Sequence, residues 1–506
     1  MSPLVLLPVI VPLAGAALGL AAWESLRAQR IVAVAASLGL LVAGIVLLAA
    51  VERHGVLTLQ LGDWPAPFGI TFVADLFSAI LVVLTGVLGL AVTVYSLATI
   101  DEGRQRHGYF PLLLVLLAGV SGTFVTGDLF NLYVWFEVLL IASFVLLALG
   151  GERAQLEGAL KYVAINLVAS AILLVTIGVL YGLTGTVNMA DLSVKLVAVE
   201  QDGLVTGLAV MLLVAFGIKA ALVPLFFWLP ASYHTPPVAV AAIFAGLLTK
   251  VGIYALVRVF TLLFPSDALT LQLLILGLAA LTMVVGVLGA IAQHEMRRLL
   301  AFLIVADIGF LVMGLGFFTV AALAGVIYFR VHVAIAKATL FLLAGAVKQV
   351  SGTLELAATG GLWVLRPGLA VLFGLAALSL AGVPPFSGFL AKLSLVQAGL
   401  AVDQLVMVGV ALAVSVLILY AVLKVWNATF WKPPPERALA GAMAAPTDPH
   451  GGGRLEAAVL LPIAGLVACS VALSVGAGPV FALMDRAAQE LLDPSAYLAA
   501  VMRTLP

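Results

Sequence analysis

The sequence predicts an all-α polytopic membrane protein of about fourteen transmembrane helices, built as two inverted five-helix repeats with helices seven and twelve broken. Three observations carry this expectation. The 506 residues are 64% hydrophobic and only 9% charged, where a soluble domain carries about 25% charged residues. A soluble chain of this length could not cover so much apolar surface. Apolar runs close to the ~20 residues that span a bilayer also recur along the whole sequence. Finally, prolines interrupt two of these runs at matching places in the two halves: Pro224 and Pro230 follow Lys219, and Pro384 and Pro385 precede Lys392. Interrupted helices at corresponding positions point to a transport site near the midplane.

In order along the chain, helices are expected near 3–22, 31–51, 75–98, 110–126, 130–149, 161–182 and 204–229, then 238–261, 269–291, 299–316, 320–347, 366–393, 404–430 and 457–481. The outer segment 52–70 reads as turns around "GDWPAPFG", with "VLTLQL" a short hairpin strand. The longest polar stretch, 432–456, is rich in proline and glycine and reads as a linker before the last helix. An echo of "LTGTVNMADL" at 183–192 in "VSGTLEL" at 350–356 sets helices four to eight against nine to thirteen. The expected units are therefore an N-terminal three-helix segment at 1–108, repeats at 109–262 and 263–431, and a linker with the last helix and tail at 432–506.

Basic residues orient the chain. With the N-terminus outside, cytoplasmic loops hold Arg27, Arg30, Arg104, Arg106, Arg153, Arg297 and Arg298 among others, against few such residues outside. Both termini are read as external, in a bacterial inner membrane. No basic residue precedes the first apolar run, so that run reads as a retained span and not as a cleaved signal. Zero net charge argues against a nucleic-acid partner. The single cysteine, Cys469, argues against iron–sulfur or cysteine–zinc sites. No phosphate-binding or dinucleotide-binding glycine motif is present, so no cofactor is expected.

Charges inside the helices are the functional signal, since each Lys or Arg at a helix centre costs roughly 2.5–3.5 kcal/mol on the insertion scale. Glu137, mid-helix in "NLYVWFEVLLIASF", and Lys219, in "AFGIKAALVP", are read as a pair that gains and loses a proton as its members separate. Lys250 is too deep to snorkel and is the next relay candidate, with Lys392 ending the second half. Asp307 on the tenth helix is, by helix count, the counterpart of Glu137, and is expected to pair with Lys337 or Lys392. His332 suits a proton shuttle, and Lys337 lies five residues beyond it. Arg330 reads as a structural counter-charge, because arginine hardly releases its proton. Lys424 either mirrors Lys250 or snorkels toward the cytoplasm. Asp75 and Asp128, at helix boundaries on the outer side, read either as caps or as cation-access groups.

With those residues in view, the chain resembles the family of D-type subunits of Mrp-type multisubunit cation/proton antiporters. That family sits among the antiporter-like subunits shared with respiratory complex I and membrane-bound hydrogenases. The telling stretches are "LGDWPAPFGITFVADLF" at 61–77, "GDLFNLYVWFEVLLIASFVLLALGG" at 127–151, "FFWLPASYHTPPVAVAAIFAGLLTKVGIYALVR" at 226–258, "LAGVPPFSGFLAK" at 380–392 and "LLDPSAYLAAVM" at 491–502. The resemblance implies a switch pair of Glu137 and Lys219, a path through Lys250 and a terminus at Lys392. It also implies work inside a hetero-oligomer in lipid, exchanging Na+ or another monovalent cation for H+. The sequence departs from the family on helix ten, where Leu303 replaces a common histidine and Asp307 a glutamine, and His332 is followed by Val333 rather than a second histidine. These departures leave the central relay to run through Asp307 and Lys337. The alternative reading is the proton-pumping membrane arm of a redox complex, whose electron chemistry would sit in partner subunits.

Overall fold

The computed structural model describes residues 2–199, 202–433 and 452–502. Most of the expected linker at 432–456 lies outside these residues. The protein is a helical bundle: α1 (Pro3–Ala21), α2 (Leu26–His54), α3 (Leu76–Thr99), α4 (Tyr109–Val125), α5 (Leu129–Ala148), α6 (Arg153–Thr184), α7 (Asp202–Ala220) and α8 (Val238–Leu262). There follow α9 (Gln272–Ile291), α10 (Met296–Phe317), α11 (Val320–Ser351), α12 (Pro367–Ala381), α13 (Ser387–Ala401), α14 (Leu405–Trp431) and α15 (Gly452–Val475). Last come α16 (Ala477–Leu492) and α17 (Ser495–Met502). Twelve described helices are long and apolar enough to cross a membrane, and α4 and α12 are shorter apolar helices.

The expected strand forms. Leu57–Gln60 (β1) pairs antiparallel with Thr71–Ala74 (β2), Leu57 opposite Ala74. This hairpin, α17 and the short helix Met189–Leu196 meet at one end of the bundle, called the hairpin end below. Several element boundaries differ from expectation: α7 stops at Ala220 and not at 229, and α13 runs past 393 to Ala401. α6 begins at Arg153, not near 161, because its first turns are charged and held by a Glu157–Lys161 pair at 2.5 Å, a pattern that a search for apolar runs passes over. The last expected helix, 457–481, instead ends at Val475; after Gly476 the amphipathic α16 begins, with Tyr328 of α11 stacked on its Phe481 at 4.2 Å.

A backbone device recurs along the chain. The Leu129 amide donates to the Val187 carbonyl and Met189 to Gly127, while Met296 donates to Leu354 and Leu356 to His294. Each member of the second set lies 167 residues after its counterpart, as Met296 does after Leu129. α6 and α11 are both 32 residues long and end on a left-handed glycine, Gly185 and Gly352. Glycine suits both positions because a positive φ costs it nothing.

Burial singles out the centre. The apolar windows of α8 and α11 are wholly enclosed and that of α10 is 94% buried, while those of α2, α6 and α14 are 39% buried. The three enclosed helices carry Lys250, Arg258, Asp307, Arg330, His332 and Lys337, all with under 5% exposure.

Candidate functional site: a buried file of charged side chains

Helix breaks build the first part of the site. α7 ends at Ala220, Ala221 takes a left-handed φ of 66°, and the chain turns through Pro224. Groups freed by the break find partners: Trp228 Nε1 donates to the Ile218 carbonyl at 3.0 Å, and the Val223 amide donates to Thr282 Oγ1 at 3.2 Å. Lys219, in the last turn of α7, therefore sits where the helix stops, with its ammonium 4.9 Å above the Phe136 ring.

From there Lys219 Nζ donates to Ser170 Oγ at 2.9 Å, and Ser170 Oγ in turn donates to the Glu137 carboxylate. The hydroxyl from α6 thus stands between acid and ammonium. A cavity of about 10 Å³, one water in size, opens beside them, lined by Tyr162, Asn166, Lys219 and Trp228 among others.

Lys250 follows a π-helical turn, Phe244–Leu248, in α8. Its Nζ donates to the Ala245 carbonyl at 2.5 Å, a group the widened turn presents to it. In the second half Lys337 Nζ lies 2.9 Å from Asp307 Oδ2, with both side chains at most 1% exposed. Lys392 occupies the second break: it donates to the Ala381 carbonyl, the last of α12, at 3.0 Å, and its ammonium lies 5.4 Å above the Phe310 ring. Each half thus sets a lysine at a helix break over a phenylalanine of the acid-bearing helix.

His332 Nδ1 lies 2.8 Å from Ser387 Oγ. Ser387, Ser379 and Ser470 form a knot of hydroxyls at 3.1–3.3 Å that joins α12, α13 and α15 across the break. Gly388 allows this approach, since a Cβ there would run into the Ser379 carbonyl and come within 2.8 Å of His332 Nε2.

Three residues take other partners. Lys424 Nζ donates to the carbonyls of Ile291 and Gln293 at 2.8 and 2.7 Å, at the C-terminus of α9, where a cation complements the helix dipole. Asp75 caps α3 through the Ser78 amide and is paired with Arg258 at 2.6 Å. Asp128 caps α5 through the Asn131 amide at 2.7 Å. Both aspartates are thus engaged at helix ends. Sequence reading overlooked Ser170 and the Ser379–Ser387–Ser470 knot. The separation of 167 residues that relates the two hairpin bridges also relates Ser170 to Lys337, and that register is the signal that would have found Ser170. The same register places Ile304, not Asp307, opposite Glu137. The second-half acid is displaced by three residues, about one turn.

Residues 126–418 match the family described as NADH:quinone oxidoreductase/Mrp antiporter, TM. The D-type subunit of the Na(+)/H(+) antiporter of Alkalihalophilus pseudofirmus is 43% identical over 504 residues, covering 99% of this chain and all of that protein. Its namesake from Bacillus subtilis is 41% identical over the same length, with the same coverage of both chains. Among solved structures, a chain of the Mrp complex from a Dietzia species superposes with a TM-score of 0.90 at 33% identity, covering 99% of this chain and all of that one. A chain of respiratory complex I from Thermus thermophilus shares the fold at a TM-score of 0.79 and 24% identity, over 96% of this chain and 99% of that one. The chain with this buried file of lysines and acids is a multi-pass membrane protein that belongs to the NADH:quinone oxidoreductase/Mrp antiporter family.

Proposed function

We propose that this chain is the proton-translocating D-type subunit of a multisubunit monovalent cation/proton antiporter, multi-pass in a bacterial inner membrane with both termini external, and a transporter component rather than an enzyme. The observation that carries the reading is the Glu137–Ser170–Lys219 bridge at the break of α7. Breaking such a contact leaves a buried charge without its partner, which costs several kcal/mol unless a proton moves. Motion of Lys219 away from Ser170 is therefore coupled to proton transfer along Lys250, the Asp307–Lys337 pair, His332 and Lys392. Lys424, Asp75 and Asp128 belong outside this relay, because helix ends already occupy them.

The recurring bridge and the matched lengths of α6 and α11 support two repeats, 109–262 and 263–431, and a count of fourteen spans once α4 and the broken α12–α13 are included. Glu137 is only half-buried although it lies mid-span. A carboxylate there does not face lipid, so a neighbouring subunit covers it, which supports work in a hetero-oligomer.

The deciding experiment expresses the complete complex in an antiporter-deficient host and follows the pH gradient of everted vesicles on addition of sodium or another monovalent cation. Collapse of the gradient with wild type and its loss with Glu137→Gln, in an assembled complex, is the expected result. An assembled wild type indifferent to every monovalent cation rejects the antiporter reading and favours a redox-driven pump, assayed next by quinone-linked proton movement.

A further inference from the structure

The relay above uses Lys250 but not the polar stripe that continues from it along α8. Lys250, Tyr254 and Arg258 recur every four residues, so they share one face of the helix, and all three are buried. Over these eight residues the face climbs about 12 Å toward the hairpin end. There Arg258 Nη2 lies 2.6 Å from Asp75 Oδ2 and 3.3 Å from Ser78 Oγ. Ser78 Oγ is in turn 3.4 Å from the Tyr254 hydroxyl, which donates to the Phe124 carbonyl at 2.8 Å. The amide next to Asp75, that of Leu76, donates to Glu490 Oε2 at 3.2 Å. Glu490 belongs to α16 and is only partly buried, so the stripe reaches the surface of the chain.

Two polar groups along this stripe have no protein partner among the described residues. The Arg330 guanidinium is fully enclosed, its Cζ 5.1 Å from the Phe124 ring, 5.6 Å from Phe77 and 5.8 Å from Tyr254, and none of its three nitrogens finds an acceptor. The buried Tyr497 hydroxyl is also unpartnered, and its ring lies 5.4 Å from the Arg258 guanidinium. Five enclosed N–H groups facing only aromatic rings are costly to leave without acceptors, and water is the small acceptor that would satisfy them.

We propose that the Lys250–Tyr254–Arg258 face of α8, closed by Asp75 and Glu490, is a hydrated proton path between the central lysine file and the hairpin end, with Glu490 at its mouth. It rests on the antiporter reading above. Protons pass by relay: Glu490 takes one from bulk water and hands it to an internal water; Tyr254 turns from the Phe124 carbonyl, gives its hydroxyl proton to a water beside Arg330 and regains one from the water on its Ser78 side. No group is consumed or oxidised. Asp75 pairs with Arg258, while the enclosed Arg330 guanidinium has no carboxylate beside it and opposes entry of a bare sodium ion.

The test uses the full complex in everted vesicles, where the hairpin end faces the lumen in the proposed orientation. Tyr254→Phe keeps the ring stacking and removes only the hydroxyl; Glu490→Gln removes the mouth. Each is expected to lower cation-driven gradient collapse about tenfold, with recovery in Glu490→Asp and no change in the surface control Glu157→Gln. The loss in Glu490→Gln is also expected to shrink as the lumen is acidified, which a structural role would not produce. Wild-type rates in an assembled Tyr254→Phe complex overturn the path, as does a Glu490→Gln loss that neither Asp nor lumenal acid relieves. Should Glu490→Gln fail to assemble, Tyr254→Phe decides. A wild type that answers to no cation overturns the antiporter reading instead, and the same two variants then score the path in quinone-driven pumping.

Discussion

At the scale of single residues, the two acid–lysine contacts differ in a way that the mutants should expose. Ser170 Oγ bridges Lys219 and Glu137, whereas Asp307 and Lys337 touch directly. Ser170→Ala is expected to lower gradient collapse about tenfold with normal assembly, and Ser170→Thr to restore it. Asp307→Leu alone strands the Lys337 ammonium and is expected to cost about 3–5 kcal/mol, seen as a lower unfolding temperature of the purified complex. The double variant Asp307→Leu/Lys337→Met removes both charges and is expected to recover that stability but not transport. Acids and lysines were legible in the sequence because a charge in an apolar run has few innocent explanations. Ser170 was not, because a serine inside a membrane helix satisfies itself on its own backbone as easily as it bridges two charges, as Ser143 does with the Leu140 carbonyl.

At the scale of elements, the break after α7 is what leaves Lys219 at a helix end facing Ser170, and the break between α12 and α13 puts Lys392 on the last carbonyl of α12. The prolines announced both breaks. They did not announce how the freed groups are satisfied, since the indole of Trp228, the hydroxyl of Thr282 and the serine knot come from segments distant in sequence or from other helices. The separate α16 was equally hidden: its apolar residues continue the composition of α15, and only the amphipathic pattern after Gly476 marks it as a different element. The second break depends on a close approach at Gly388. Gly388→Ala is expected to push Ser387 away from His332 and to abolish transport. A readout independent of transport is faster hydrogen exchange in 379–392 of the assembled complex, with the rest of the bundle unchanged.

At the scale of the whole molecule, three enclosed helices hold the central charges, α5, α7 and α13 bring Glu137, Lys219 and Lys392 to them, and the contacts most open to change are those made at the ends of the bundle. α16 is one of them, and Glu490 ties it to the N-terminus of α3. Burial raises the Glu490 pKa above the ordinary glutamate range; the Asp75 carboxylate adds to this, while the Leu76 amide, Arg258 and Arg486 pull it back. A carboxyl with a raised native pKa binds its proton more tightly when α16 is docked than when it is free. Its contribution to docking is therefore full below the usual glutamate pKa and is lost as pH rises through the shifted value. Hydrogen exchange over 477–492 is expected to quicken beyond the intrinsic chemical rate as pH rises above the ordinary glutamate range, and Glu490→Gln, which keeps the uncharged form at every pH, is expected to remove that excess. Exchange that follows only the intrinsic rate in wild type would show that α16 is held by its apolar face, through contacts such as Phe481 on Tyr328, and that Glu490 answers to water rather than to the docking of the helix.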